Sequence, residues 1–363
     1  MSNNNVTKER KDLKEIRDEI DLVDKEILSL ISKRGRLVLR VKDIKIKINL
    51  PLYDPSREMH VYEQLGRLNR GPYSNQAVHC IFREIISSSR ALERPLRLAY
   101  FGPEASFSHV ACLERFGSSA LLVPKKTVEG VFDEVDKEIS DLGVVPIENS
   151  TEGVVTSTLD MLVDSRSNAI EEIIMPINLA LLSTNRDMCS IRKLYSHPQA
   201  LAQCRKWLFE NLPRADIIPT ESTSKAARLA SGDDTAAAVA SPLASEVYGL
   251  LILREHIEDL HNNMTRFFVI ATKEVVPTGK DKTSILFQIR DEPRALYRML
   301  TPFATRNINL TKIESRPSKK EAFSYLFFVD IVGHKNDPIL KEALEEIKAM
   351  ALHFKVIGSY KQV

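Results

Sequence analysis

The sequence predicts a multidomain chain: an all-α helical domain over residues 1–94, an α/β domain over 95–273 and an α+β domain of ferredoxin-like order over 274–363. Three observations carry this prediction. From Leu13 to Ile48, apolar residues recur at heptad spacing, with Leu13, Ile20, Ile27, Val41 and Ile48 in one series and Ile16, Val23, Leu30, Leu37 and Ile44 in the other. Between Leu96 and Ala271, β-branched runs alternate with helix-like stretches, the pattern of an α/β unit. After a lysine-rich linker, Lys273 to Lys282, the chain reads strand (Ser284–Ile289), helix (Pro293–Thr305), strand (Asn309–Ser315), strand (Ser324–Ile331), helix (Pro338–Leu352) and strand (Phe354–Ile357).

Composition bounds the function. At 363 residues the chain exceeds one core, since a domain takes roughly 100 to 200 residues. With 43% hydrophobic and 28% charged residues it belongs with globular proteins, and a net charge of +2 gives no overall case for binding nucleic acid. Cys80, Cys112, Cys189 and Cys204 are widely spaced, with no C-x-x-C pair and no neighbouring His cluster, so no metal and no cofactor is expected. The N-terminus is polar and no 18-residue apolar stretch occurs, which predicts a cytoplasmic protein without a membrane segment.

The heptad stretch (residues 13–48, 36 residues) predicts one helix of roughly 54 Å, too long to cover its own stripe, so an intertwined dimer is expected. Arg34 interrupts the first apolar series, and Arg17, Asp24 and Lys45 occupy its flank. Such polar residues either fix register with snorkelling stems or line a buried site for a dianion. Asp54-Pro55 opens a second helix with Arg57 and Glu58 in its first turn. A third, Asn75 to Glu93, carries Val78, Ile81, Phe82, Ile85 and Ser89 on one stripe, with Glu93 on the same face.

Over residues 13–93 these positions resemble the all-helical chorismate mutases. The resemblance implies substrate-binding roles for Arg17, Arg34, Lys45, Asp54, Arg57, Glu58, Ser89 and Glu93, Lys45 and Glu93 being catalytic, with one cation crossing from a partner subunit of a homodimer or higher even oligomer. The implied reaction, chorismate to prephenate, is a [3,3] rearrangement needing neither nucleophile nor proton transfer. Holding the reactive conformer and stabilising the ether oxygen suffice.

In the middle of the chain, strands are expected at Leu96–Phe101, Leu142–Ile147, Ile173–Leu182, Ile217–Pro219, Ala236–Ala240 and Phe267–Ala271, with helices such as Thr127–Ile139 and Gln199–Leu212. Polar clusters sit at the strand ends: Gly102-Pro103-Glu104-Ala105-Ser106-Phe107-Ser108, Pro146-Ile147-Glu148-Asn149-Ser150-Thr151-Glu152-Gly153, Ser196-His197-Pro198-Gln199 with Gln203-Cys204, Ser222-Thr223-Ser224, and Asn262-Asn263-Met264-Thr265-Arg266-Phe267. Each is either simple helix capping or part of one anion-binding cleft. His197 reads as a turn histidine.

In this order the blocks resemble prephenate dehydratase over residues 96–272. That implies two α/β lobes around a cleft, like periplasmic binding proteins, with Thr265 catalytic and Asn149, Ser196, Gln203 and Arg266 shaping the pocket. Thr265 would hydrogen-bond the departing hydroxyl as prephenate loses carbon dioxide and becomes aromatic, since a free hydroxyl is too weak an acid to protonate it outright. The family usually writes Gly-Thr-Phe where this chain has Ala105-Ser106-Phe107, and an acidic residue is common at Lys225.

Glu314-Ser315-Arg316-Pro317 and Tyr325-x-Phe327-Phe328-Val329-Asp330 resemble the amino-acid-binding ACT domain over residues 283–360. The implied role is sensing phenylalanine at a dimer interface through Ala295, Leu296, Glu314, Ser315, Arg316 and Pro317, with Arg294 where the family commonly writes glycine. A purely structural dimerisation domain is the alternative.

Together these read as a bifunctional enzyme of phenylalanine biosynthesis acting on chorismate and prephenate, with an arogenate dehydratase as an alternative. A DNA-binding regulator would rest on residues 33–47, seven cations against Asp43 alone. Placement of Arg34 inside the apolar stripe argues against it.

Overall fold

Helix α1 (Ser2–Lys47) realises the heptad stretch as one continuous element. The computed structural model describes residues 2–48, 53–260, 262–317 and 325–362. Helices α2 (Pro55–Leu68) and α3 (Asn75–Glu93) follow, and the Ser74 side chain caps α3 by accepting from the Ala77 N–H at 3.1 Å. Residues 1–54, 61–96 and 118–120 form one compact unit and residues 55–60, 97–117 and 121–363 another. Within the first, α1 packs on α3 at Gly35, where an added Cβ would lie 3.3 Å from the Leu92 side chain. The apolar stripe of α1 is otherwise uncovered in the single chain, Ile20 being 53% and Leu30 64% exposed.

In chain order the second unit contains β1 (Arg97–Phe101), α4 (Phe107–Phe116), β2 (Leu121–Lys125), α5 (Val128–Asp136), β3 (Leu142–Asn149), β4 (Gly153–Val154), α6 (Thr156–Asp164), β5 (Asn168–Pro176), β6 (Ala180–Ser183), β7 (Lys193–Ser196), α7 (Pro198–Gln203), α8 (Arg205–Asn211), β8 (Asp216–Pro219), α9 (Thr223–Ala230), β9 (Ala236–Ala240), α10 (Leu243–Tyr248), β10 (Leu251–Arg254) and β11 (Met264–Ala271). One lobe is built on the sheet β2-β1-β3-β11-β5, with β4 on β3, and the other on β10-β6-β9-β7-β8. The expected strand Ile173–Leu182 is in fact two, β5 and β6, in different sheets. Pro176 ends the first ladder because it has no N–H, and Ile177 N turns to the Asn263 carbonyl at 2.9 Å. Likewise Gln199–Leu212 breaks into α7 and α8 at Cys204, whose φ of −112° leaves the helical range. Short, partly exposed strands such as β2 escape the periodicity reading because they present no continuous buried face.

The chain ends with β12 (Asp281–Ile289), α11 (Ala295–Thr305), β13 (Leu310–Pro317), β14 (Tyr325–Val332), α12 (Pro338–Met350) and β15 (His353–Lys361). This is the ferredoxin-like order, with sheet order β13-β14-β12-β15. Ser324, where β14 was expected to begin, lies outside the described residues. Alternation along β12 explains why the strand is buried on both sides. Ile285 and Phe287 pack with Met299, Phe303 and Leu344 of the helices, while Leu286 joins Leu159 and Leu162 of α6 and Phe268 of β11. The α/β and ferredoxin-like parts thus share one core.

Strand β15 runs so close to β5 that a Cβ built on Gly358 would lie 2.8 Å from the Ala169 carbonyl carbon and 2.9 Å from its nitrogen. Backbone, not a flexible side chain, blocks the space. Gly358→Ala is therefore expected to cost about 1–3 kcal/mol, the usual range for overpacking. Thermal unfolding of the full chain checks it: an unchanged midpoint would show that the sheets are free to separate.

Candidate active sites

In the helical unit, Arg34 of α1 donates to the Ser89 hydroxyl of α3, and Ser89 in turn donates to the Ile85 carbonyl at 2.6 Å. One turn further on, Glu93 is half-buried. Burial raises its pKa, while the cations Lys45 and Lys42 pull it down by less. Arg34, Ser89, Lys45 and Glu93 thus lie along one α1–α3 face. Arg17 is exposed on α1, and the 17 residues separating it from Arg34 (34 − 17) place it roughly 26 Å away along the helix. Asp54 belongs to the same unit, whereas Arg57 and Glu58 belong to the other, where Glu58 is buried and its carboxylate meets the Arg115 guanidinium at 3.1 Å.

In the two-lobed part, Thr265 is buried on β11, directly opposite Asn149 of β3. The Asn149 carbonyl oxygen accepts from the backbone N–H groups of Thr151 and Glu152 at 3.0 and 3.2 Å and from the Thr151 hydroxyl at 2.6 Å. Backbone N–H groups can only donate, so they settle which end of the amide is oxygen. Its NH2 therefore faces the other way, donating to Thr265 Oγ1 and Asn263 Oδ1, both at 2.8 Å. Asn263 donates to Gln203 Oε1 at 2.9 Å, and Gln203 to Thr151 Oγ1 at 3.4 Å. Asn149, Asn263, Gln203 and Thr151 close a one-directional circuit that crosses from the first lobe to α7 of the second. Thr265 receives its bond on a lone pair, so its own proton remains available to donate.

The other expected pocket residues are placed differently. Ser196 is fully buried and donates to the Val239 carbonyl at 2.7 Å, tying β7 to β9. His197 caps α7, its Nδ1 accepting from the Gln199 N–H at 3.4 Å, as a turn histidine would. Arg266 differs from the expectation that it shapes the pocket beside Thr265. Neighbours on a strand point to opposite faces. Its guanidinium reaches Glu172 Oε2 at 2.8 Å, Asp330 Oδ2 at 2.6 Å and Tyr360 OH at 2.8 Å, and lies over the Phe268 ring at 4.9 Å. Burial opposes its charge, but Tyr360, Asp330 and Glu172 outweigh that and raise its pKa. Asn263 and Thr151 received no role from sequence. Period-two spacing of Asn263 and Thr265 at the start of β11 was the signal for the first, and membership of the polar cluster after β3 for Thr151, whose bonds to Asn149 and Gln203 only the loop fold supplies.

In the ferredoxin-like part Ala295 is buried at the start of α11 with Leu296 beside it. On β13, Glu314 and Arg316 alternate with the exposed Ser315 and Pro317, and Arg316 donates to the Thr156 carbonyl of α6 at 2.7 Å. The two departures from family glycines share a cause. Ala105 has φ 60° and Arg294 φ 67°, both left-handed, where glycine is normally favoured. Ser106, in the threonine's place, caps α4 by accepting from the His109 N–H at 3.4 Å. Among the described residues no helix is long and apolar enough to cross a membrane, and no group of His, Cys, Asp or Glu is placed to hold a metal ion.

Cations, hydroxyls and amides set on rigid elements in two separate units define a multidomain enzyme for small anionic molecules. Three family models match in chain order: chorismate mutase type II over residues 16–94, prephenate dehydratase over 98–275 and the ACT domain over 283–349. A bifunctional chorismate mutase/prephenate dehydratase of Aquifex aeolicus (strain VF5) is 49% identical over 353 residues, covering 96% of this chain and 98% of the relative. One from Stutzerimonas stutzeri is 42% identical over 356 residues, covering 96% and 97%. The crystal structure of a prephenate dehydratase from Arthrobacter aurescens in complex with L-Phe superposes with a TM-score of 0.69 at 33% identity, covering 73% of this chain and 90% of that one. The chain belongs to the bifunctional chorismate mutase/prephenate dehydratase family, with a C-terminal ACT domain.

Because the NH2 of Asn149 holds the Thr265 oxygen, Asn149→Asp would put an acceptor there and draw the threonine proton toward itself. Dehydratase kcat is expected to fall about 100-fold, or some 2.7 kcal/mol of barrier, with mutase activity unchanged. Parallel assays on chorismate and prephenate check it; a dehydratase at full rate would show that the amide orientation is irrelevant.

Proposed function

We propose that this chain, in the cytoplasm and as a homodimer or higher even oligomer, rearranges chorismate to prephenate in its helical unit and converts prephenate to phenylpyruvate at Thr265. The observation that carries the second assignment is the Asn149 amide, oriented by backbone donors, which leaves the Thr265 hydroxyl free to donate. Prephenate binds with its ring hydroxyl against Thr265. As the ring carboxylate leaves as carbon dioxide, its bonding electrons enter the ring and the hydroxyl departs, its developing charge met by the threonine proton. Aromatisation supplies the driving force, so positioning and one hydrogen bond suffice. Asn149 and Gln203 hold the wall of that pocket, and Ser196 fixes the strand end from which α7 starts.

In the helical unit, Arg34 and Ser89 bind one carboxylate end of chorismate, and Lys45 with a protonated Glu93 meets the ether oxygen as its C–O bond breaks. Only a protonated carboxyl can donate there. Arg17 acts in the site of the partner subunit, which suits its distance from Arg34 and the uncovered stripe of α1. Asp54 completes the substrate-binding set of this unit, while Arg57 and Glu58 belong to the other, where Arg115 engages Glu58. The ACT domain senses phenylalanine through Ala295, Leu296, Glu314, Ser315, Arg316 and Pro317, a reading supported by the L-Phe bound to the Arthrobacter aurescens relative.

Thr265→Ala is expected to abolish phenylpyruvate formation from prephenate while chorismate is consumed as before. Loss of both activities in a folded variant would refute two separate sites. For Glu93, burial raises the pKa, so the donating form prevails below that value and mutase activity declines as pH rises through it. Glu93→Gln, a donor at every pH, should flatten the profile; a profile of unchanged shape would remove Glu93 from the mechanism.

A further inference from the structure

On β3 and β11 the opposed pair Thr265 and Asn149 faces the hydroxyl–amide circuit, and the next pair, Arg266 and Glu148, faces the ACT sheet. Both members of the rear pair are gripped from that sheet. Asp330 of β14 binds Arg266 at 2.6 Å, and Lys312 of β13 binds Glu148 at 2.6 Å, while Arg266 and Glu148 approach each other at 3.9 Å. Ser284 donates to the second oxygen of Asp330 at 2.5 Å, and Lys282 of β12 meets Glu172 at 2.9 Å. Three cations, Arg266, Lys282 and Lys312, balance three carboxylates, Glu148, Glu172 and Asp330. The side chains of Glu172, Asp330 and Arg266 are only 0%, 9% and 10% exposed, so little water competes for these bonds.

We propose that Asp330 and Lys312 are positioning residues for the dehydratase reaction: through Arg266 and Glu148 they set the strand pair whose opposite face presents Thr265 and Asn149. This rests on the proposed role of Thr265 and deepens it. The link is mechanical and short. In the same strands Arg266 adjoins Thr265 and Glu148 adjoins Asn149, so a shift at the rear moves the donor on the front, and sub-ångström placement matters for a step that relies on orientation. Interruption of the β11–β3 register between Arg266 and Phe267 makes the ionic grip, not the ladder alone, the local constraint. ACT-domain cations also hold α6, Arg316 at its first carbonyl and Lys355 at the Leu162 and Ser165 carbonyls at its end (2.7 and 2.5 Å), so the loop from Asn149 to α6 is anchored on both sides.

The test uses the full chain with Asp330→Asn, Lys312→Met and Lys312→Arg, assaying dehydratase kcat and KM beside mutase activity of the same preparations. Asp330→Asn is expected to lower dehydratase kcat by about tenfold or more with KM changed by less than about threefold, and mutase activity should stay at the wild-type value. Lys312→Met should give a smaller kcat loss that Lys312→Arg restores. Should Asp330→Asn not fold, Lys312→Met decides, because its partner Glu148 is 34% exposed and tolerates loss of the pair. Wild-type kcat in Lys312→Met, or a loss confined to KM, overturns the proposal. Thr265→Ala in the same series keeps the two readings apart. If it retains the full dehydratase rate, the catalytic assignment of Thr265 falls. If it is inactive while Asp330→Asn and Lys312→Met match the wild type, only the positioning role falls.

Discussion

The constraint on which the second unit depends is the buried, charge-balanced cluster around Arg266. Glu172 has no exposed side-chain surface, and Arg266 and Lys282 both serve it. Removing one partner from such a pair leaves an uncompensated buried charge, typically about 3–5 kcal/mol. Each ion therefore requires the others, and they come from β3, β5, β11, β12, β13 and β14. Arg266 and Glu172 pair within the central sheet, but Asp330, Lys282 and Lys312 reach their partners only where the ACT sheet lies on it, and the same docking gives the two parts one apolar core.

The hydroxyl–amide circuit is built on a different principle. Its members are neutral, and its direction originates in two backbone N–H groups that cannot reverse. For the dehydratase site proposed at Thr265, a neutral network would suit a substrate that carries two carboxylates and loses one, since it presents donors without a fixed counter-ion. The charges stay one residue away, on the other face of the same strands. Alternation of side chains thus sets the ionic contacts and the proposed catalytic face on opposite sides of the same strands.

Ala105 and Arg294 show what departure from a family glycine means in this chain. Both keep the left-handed backbone that a glycine would adopt freely, a strain of roughly 1–2 kcal/mol for a residue bearing a Cβ. At Ala105 the surrounding packing holds it there: the residue is fully buried, its N–H bonded to His109 Nδ1 at 3.0 Å and its carbonyl to Ser241 Oγ at 2.7 Å. At Arg294, which is exposed at the start of α11, φ alone favours a glycine.

By itself the sequence determined the order of the domains and the single long helix. Heptad and period-two spacing are local properties, and Leu13 to Ile48, or Ser284 to Ile289, carry them without reference to anything distant. The motif blocks likewise placed Thr265, Asn149 and Gln203, which the fold brings together. Tertiary structure alone decided which way Arg266 points, that Ile173–Leu182 divides between two sheets, and that Asn263 and Thr151 close the circuit. Those outcomes depend on which strand lies opposite, in what register, and on which sheet covers the rear face. A chain read in order records the polarity of each residue but not the partner that will satisfy it.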